Sequence, residues 1–132
     1  MSYLKTKSDV NQMAAALLQK NSHYASVVHC SYYSCLQLMK HIVINTLGIS
    51  EQQIETDLEY KGGSHTYLIN KITTYLQQER KDSRVFSSSI TQLRRMRNTA
   101  DYENIQVDST IGGNSITLSE TIITHLKSNI KI

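Results

Sequence analysis

The stretch Ser22–Gly48, SHYASVVHCSYYSCLQLMKHIVINTLG, decides the fold. Val28, Tyr32, Cys35, Met39, Ile42, Val43 and Thr46 recur along it at helical spacing, so one apolar face is sustained through the whole segment. Gly48 is a natural helix terminator. About 26 helical residues at 1.5 Å each make a rod of about 39 Å, the spine of a small bundle.

Working outward, the same period recurs on both sides of this spine. Ser8 or Asp9 is placed to cap a first helix that carries Val10, Met13, Ala14, Leu17 and Leu18 on one face and ends near Asn21. Residues 49–64 form a connection holding a short helix capped by Ser50, with Gln53 in the reciprocal position and Gly62 and Gly63 at its end. The next helix turns Leu68, Ile72, Tyr75 and Leu76 inward and closes around Arg80 to Asp82. Another starts in the serines at 87–89 and carries Ile90, Leu93, Met96 and Ala100. Residues 105–116 read as a polar loop, with Gly112-Gly113-Asn114 as a turn and a weak hairpin signal between 105–107 and 115–117. The last helix opens on a Thr117/Glu120 capping box and buries Ile122, Ile123, Leu126 and Ile130. The expected architecture is all-α: an up-and-down four-helix bundle with a short fifth helix, in one domain over residues 1–132.

Composition narrows the class. The chain has 132 residues, 39% of them hydrophobic and none of them proline, so nothing interrupts its helices. No window approaches the roughly 18 apolar residues that span a bilayer, and Met1 to Ser8 are polar with no apolar core behind them, which argues against a secretory signal. Cys30 and Cys35 lie five apart, on different sides of one helix, a poor geometry for a disulfide. Reduced thiols suit a cytoplasmic protein. The net charge of +3 names no partner. Its distribution says more, with Arg80, Lys81, Arg84, Arg94, Arg95 and Arg97 in one stretch and Glu51, Glu55, Asp57 and Glu59 in another.

The helix after the serines carries an anomaly. At 100° per residue Arg97 falls within about 45° of the centre of the Leu93/Met96/Ala100 stripe, Asn104 joins it, and Asp101 sits on its edge. A buried arginine is costly unless matched, and Asp101, one turn on, is in reach. This pattern reads either as an ion pair that locks packing or as Arg97, Asp101 and Asn104 opening onto a polar groove that takes a phosphate or base. Among the histidines, His23 and His41 point away from the spine's stripe, His29 lies at its edge, and His125 faces solvent. His65, beside glycines at a helix start, is the best functional candidate of the five. Tyrosine occurs eight times against one phenylalanine; most tyrosines read as core or interface, with Tyr33 and Tyr102 as candidates for stacking on a base. No H-E-x-x-H, C-x-x-C pair or phosphate-loop motif is present, so neither a metal nor a cofactor is implied.

Arg97-Asn98-Thr99-Ala100-Asp101-Tyr102 resembles the R-x-x-A-D-Y signature of a prokaryotic subfamily of HEPN domains. Tyr32-Tyr33-Ser34-Cys35-Leu36-Gln37-Leu38-Met39 is similar to that subfamily's long second helix, and Gly63-Ser64-His65 to the segment opening its third. The resemblance covers roughly residues 8–105, in order. It implies a four- or five-helix up-and-down bundle that dimerises. In ribonucleolytic members an R-x(4–6)-H motif from each subunit meets at the dimer cleft, the arginine holding the scissile phosphate. Arg97 matches that arginine; the histidine has no counterpart, since Tyr102, Glu103 and Asn104 follow.

Two functions of different classes follow from these residues. One is a dimeric HEPN-type protein directed at RNA or belonging to a toxin–antitoxin or defence system, with Arg97, Asp101 and Tyr102 in the reactive position and Asn104, Arg94, His65 and Tyr33 binding. The other is a non-catalytic helical partner of a small nucleotidyltransferase or antitoxin, with a nucleotide-binding bundle as a third reading. Whether the chain turns over a substrate hinges on the absent histidine.

Overall fold

The described residues form six helices: α1 (Tyr3–Lys20), α2 (Tyr24–Asn45), α3 (Glu51–Lys61), α4 (Ser64–Gln78), α5 (Arg84–Tyr102) and α6 (Ser109–Asn129). They come from a computed structural model that describes residues 2–61 and 63–132, apart from the side chains of Tyr60 and Lys61. Gly62, expected with Gly63 to end the 49–64 connection that holds α3, lies outside the described residues. Among the described residues there is no strand, so the all-α expectation holds, with six helices where four and a short fifth were expected. No helix among them is long and apolar enough to cross a membrane.

The spine is α2, and it packs against α1, α4, α5 and α6. It is buried on more sides than its stripe required: Val27, Val28, Ser31, Tyr32, Ser34, Cys35, Leu38, Met39, Ile42 and Val43 are all covered. The main apolar cluster joins these to Leu68, Ile72 and Leu76 of α4, Phe86, Ile90 and Leu93 of α5, and Ile122, Ile123 and Leu126 of α6. Burying side chains of this size contributes about 1.5–3 kcal/mol each, before chain entropy opposes it. His41, expected to face either solvent or a second interface, is buried, with its Nδ1 2.6 Å from Ser2 Oγ, because α1 begins early enough to cover it.

That early start is the first boundary correction. Ser8 does not cap α1; it lies inside the helix, buried, and its hydroxyl donates to the Ser34 carbonyl at 2.6 Å. With Ala15 it forms a small-residue face that lets α1 lie close on α2, and α1 adds no side chain to the main cluster. The stripe read as its core face is mostly turned outward, Val10, Met13 and Leu17 being 52%, 66% and 62% exposed.

The second correction concerns residues 105–117. Neither the hairpin nor the glycine turn forms; α6 begins at Ser109, eight residues before the expected Thr117 cap. Asp108 caps it, its carboxylate accepting from the Ile111 N–H at 2.9 Å. Gly112 is buried where any added Cβ would run into the side chains of Gln19 and Tyr24. Tertiary contact thus overrides the low helix propensity of the glycine pair. Elsewhere the ends are local. At the close of α1 and α4, Ser22 and Arg80 take the left-handed conformation, with the His23 and Lys81 amides bonding back to Leu18 and Leu76, the doubly bonded helix ending usually completed by glycine. Ser50 accepts from Gln53 N at 3.1 Å as expected, but the Gln53 side chain turns to Asp57 instead of closing the reciprocal bond.

The docking of α1 yields a paired expectation. Ala15→Leu should overpack the α1/α2 contact and cost about 1–3 kcal/mol. Leu17→Ala, on the face that the sequence pattern assigns to the core, should change stability by less than about 0.5 kcal/mol. Urea titrations of both variants check this, and a reversed order would refute the outward orientation of that stripe.

Candidate functional site

The buried face of α5 reads Phe86, Ile90, Leu93, Arg97. These are core positions, and the fourth is filled by a guanidinium. Arg97 is 6% exposed. Its terminal carbon lies 5.0 Å from the centre of the Tyr32 ring and 5.7 Å from those of both Tyr33 and Tyr102. An aromatic face attracts a cation by about 0.5–1 kcal/mol when exposed and about 2 kcal/mol when desolvated. Three rings together therefore offset a substantial part of the cost of removing the charge from water. Tyr32 and Tyr33, adjacent on α2, reach it from below, and Tyr102, 77% exposed, from the solvent side.

Asp101 is there, though not as a simple partner. Arg97 Nη1 stands 3.9 Å from Asp101 Oδ2, too long for a hydrogen bond, while the same oxygen sits 2.8 Å from His29 Nδ1. The carboxylate thus gives its short contact to the histidine and only its field to the arginine. His29 stacks at a tilt on Tyr33, 4.6 Å between ring centres, one turn apart on α2. Its side chain is 49% exposed, leaving the ring accessible to a ligand. Arg97 Nε is buried and has no hydrogen-bond partner among the described residues. An unfilled donor of this kind is costly.

His65 closes the other side. Its Nδ1 is 2.8 Å from the Tyr32 hydroxyl, and its ring stands edge-on to Tyr33. Burial lowers the His65 pKa, and the charges of Arg94 and Arg97 lower it further. Burial raises the Tyr32 hydroxyl, opposed by Arg94 and Arg97. Both shifts keep the pair neutral beside the cation. Arg94 leans across to α4, its Nη1 donating to Thr66 Oγ1 at 3.0 Å. Neighbouring Cys30 is raised by burial and by the Asp101 charge, and Cys35 in the core is pushed up to about 12, so neither thiol is an activated nucleophile.

Of the residues singled out from sequence, Arg97, Asp101, Tyr102, Tyr33 and His65 converge here, with Arg94 at the margin. Asn104 does not join them: α5 ends at Tyr102, and Asn104 is exposed beyond it. The period that placed it on the stripe does not extend past the helix. His125, read as facing solvent, is half-buried, with its Nε2 2.6 Å from the Asp82 carbonyl. Sequence reasoning missed His29 as a member of the site. Its partner is 72 residues away; the available signal was its one-turn spacing from Tyr33. Tyr32 was read as core alone, and it is both core and the wall of the site. Among the described residues no group of three His, Cys, Asp or Glu side chains could hold a metal ion.

No family model, curated protein or solved structure matches the chain in comparison.

The His65 shift has a sign that can be measured. Its folded-state pKa lies below the ordinary 6.5, so below that pH the unfolded chain binds a proton that the folded chain resists. Stability is full above pH 6.5 and falls as the pH drops; His41, lowered by burial and by Lys5, contributes in the same direction. His65→Gln should therefore reduce the loss of stability between about pH 6.5 and pH 5 in urea titrations. A pH slope identical to that of the unsubstituted protein would contradict the assigned burial of the ring.

Proposed function

We propose that the Arg97 cleft binds single-stranded RNA in a HEPN-type homodimer, RNA-directed and associated with a toxin–antitoxin or defence system in the cytoplasm. The observation that carries this reading is the buried guanidinium with an unfilled Nε, set among tyrosine and histidine rings. A phosphate would add a further acceptor to the guanidinium, and bases supply faces for Tyr102, Tyr33 and His29 to stack on. The R-x-x-A-D-Y resemblance and the succession of α2, α4 and α5 agree with an up-and-down HEPN bundle. Acid–base chemistry would fall to His29, oriented by Asp101 much as a carboxylate orients the imidazole of other proton-transfer sites, since positions 102–104 hold no histidine.

The outward face of α1 supports the dimer. Tyr3, Val10 and Leu17 repeat every seven residues with Thr6 and Met13 between them, the spacing by which a helix packs alongside its own copy. The same face would serve a nucleotidyltransferase or antitoxin partner in the second, non-catalytic reading, which the missing histidine favours.

Two measurements test the two halves. Arg97→Lys keeps the charge and loses the planar fork, so RNA affinity in fluorescence anisotropy should fall at least tenfold, about 1.4 kcal/mol. Tyr102→Ala should remove about 1–3 kcal/mol of stacking. Affinities unchanged in both variants would dismiss the cleft. Val10→Glu with Leu17→Glu should leave a monomer in sedimentation equilibrium at concentrations where the parent protein is dimeric; equal masses would dismiss α1 as the contact.

A further inference from the structure

Because α4 and α5 run antiparallel, the C-terminal half of α4 lies beside the N-terminal half of α5, with Thr66 and Arg94 meeting near the other end. Between them runs an open groove of about 540 Å³. Arg84, Ser88, Thr91 and Arg95 line it from α5, and Thr73 and Gln77 from α4. Every lining group is a hydroxyl, an amide or a guanidinium; no carboxylate and no apolar side chain is among them. Arg84 and Arg95 are exposed, and among the described residues neither forms an ion pair. The adjacent carboxylate of Asp82 is already engaged, accepting from the Arg84 N–H at 2.9 Å.

Arg95 of the groove stands two residues before Arg97 of the cleft. Along α5, Arg84, Arg94, Arg95 and Arg97 span about 20 Å of helix axis, Arg84 and Arg95 on the groove side and Arg97 on the buried face, with Asp101 the one acidic residue of that helix. Arg94, bonded to Thr66, stands between the groove and the His65/Arg97 cluster. Such a lining suits a sugar–phosphate backbone: guanidinium groups take phosphate oxygens, and hydroxyls and amides take ribose hydroxyls. An apolar protein segment would find nothing to bury against, and the lining offers no stacking surface that would favour one base.

We infer that the α4/α5 groove is a phosphate track for a single-stranded RNA, sequence-independent, feeding the strand to the Arg97 cleft. It rests on the reading of that cleft as an RNA site and adds a second contact region to it.

The test compares Arg84→Gln/Arg95→Gln with Lys5→Gln/Lys7→Gln, an equal change of charge on α1, using short labelled oligo(A) and oligo(U) between 50 and 200 mM salt. Loss of two phosphate contacts should make the slope of log affinity against log salt shallower by about 1.4, equally for both RNAs, with the α1 variant unchanged. An unaltered slope and affinity in the groove variant, while Arg97→Lys still loses binding, overturns the track and leaves the cleft standing. Equal slopes for the groove and α1 variants overturn it as well, reducing the effect to overall charge. No binding by the parent protein overturns both track and cleft.

Discussion

A permanent cation occupies a core rung of α5, and the surrounding side chains are arranged to hold it there. Guanidinium cannot shed its proton to ease burial, so the neighbourhood must adapt instead. Three tyrosine rings surround it, one of them from the solvent side. Asp101 faces it at a distance that gives field without a hydrogen bond, its short contact committed to His29. Tyr32 and His65 stay uncharged beside it, each shifted by burial toward its neutral form. The bundle tolerates the charge without neutralising it, which is the condition under which an anion from outside gains by arriving. A buried ion pair with full hydrogen bonding would have been a packing device and nothing more.

Much of this was legible in the residues. The α2 stripe, the inward turn of Ile122, Ile123 and Leu126, and the inward angle of Arg97 are consequences of a 3.6-residue period read within one helix. The errors share a cause: each depends on something distant in the chain. Gly112 and Gly113 look like a turn until Gln19 and Tyr24 close over them. His29 looks like an edge residue and His41 like an outward one until Asp101 and Ser2 arrive from other segments. The outward stripe of α1 is the most instructive, because amphipathicity reports that a face is apolar and is silent about which neighbour covers it.

The molecule presents two chemically opposed surfaces. The α4/α5 side is cationic and hydroxylated, with arginines free of acidic partners among the described residues. The α1 side is apolar and helical in its repeat. Under the proposed reading such a division lets one surface engage a polyanion while another engages protein, with α2 in contact with α1, α4 and α5 alike.

The close seating of α1 through Ser8 and Ala15 has a thermodynamic corollary. Sensitivity to denaturant scales with the surface newly wetted on opening. α1 rests on α2 through buried Ser8 and Ala15 and half-buried Leu4, Asn11, Ala14 and Leu18, while Val10, Met13 and Leu17 are already in water, so lifting it away would expose less new area than unfolding the whole chain. Its detachment would therefore respond to urea less steeply than global unfolding. Native-state hydrogen exchange would register it as a local opening with a shallower denaturant response, distinct from the steep global unfolding of the α2 spine.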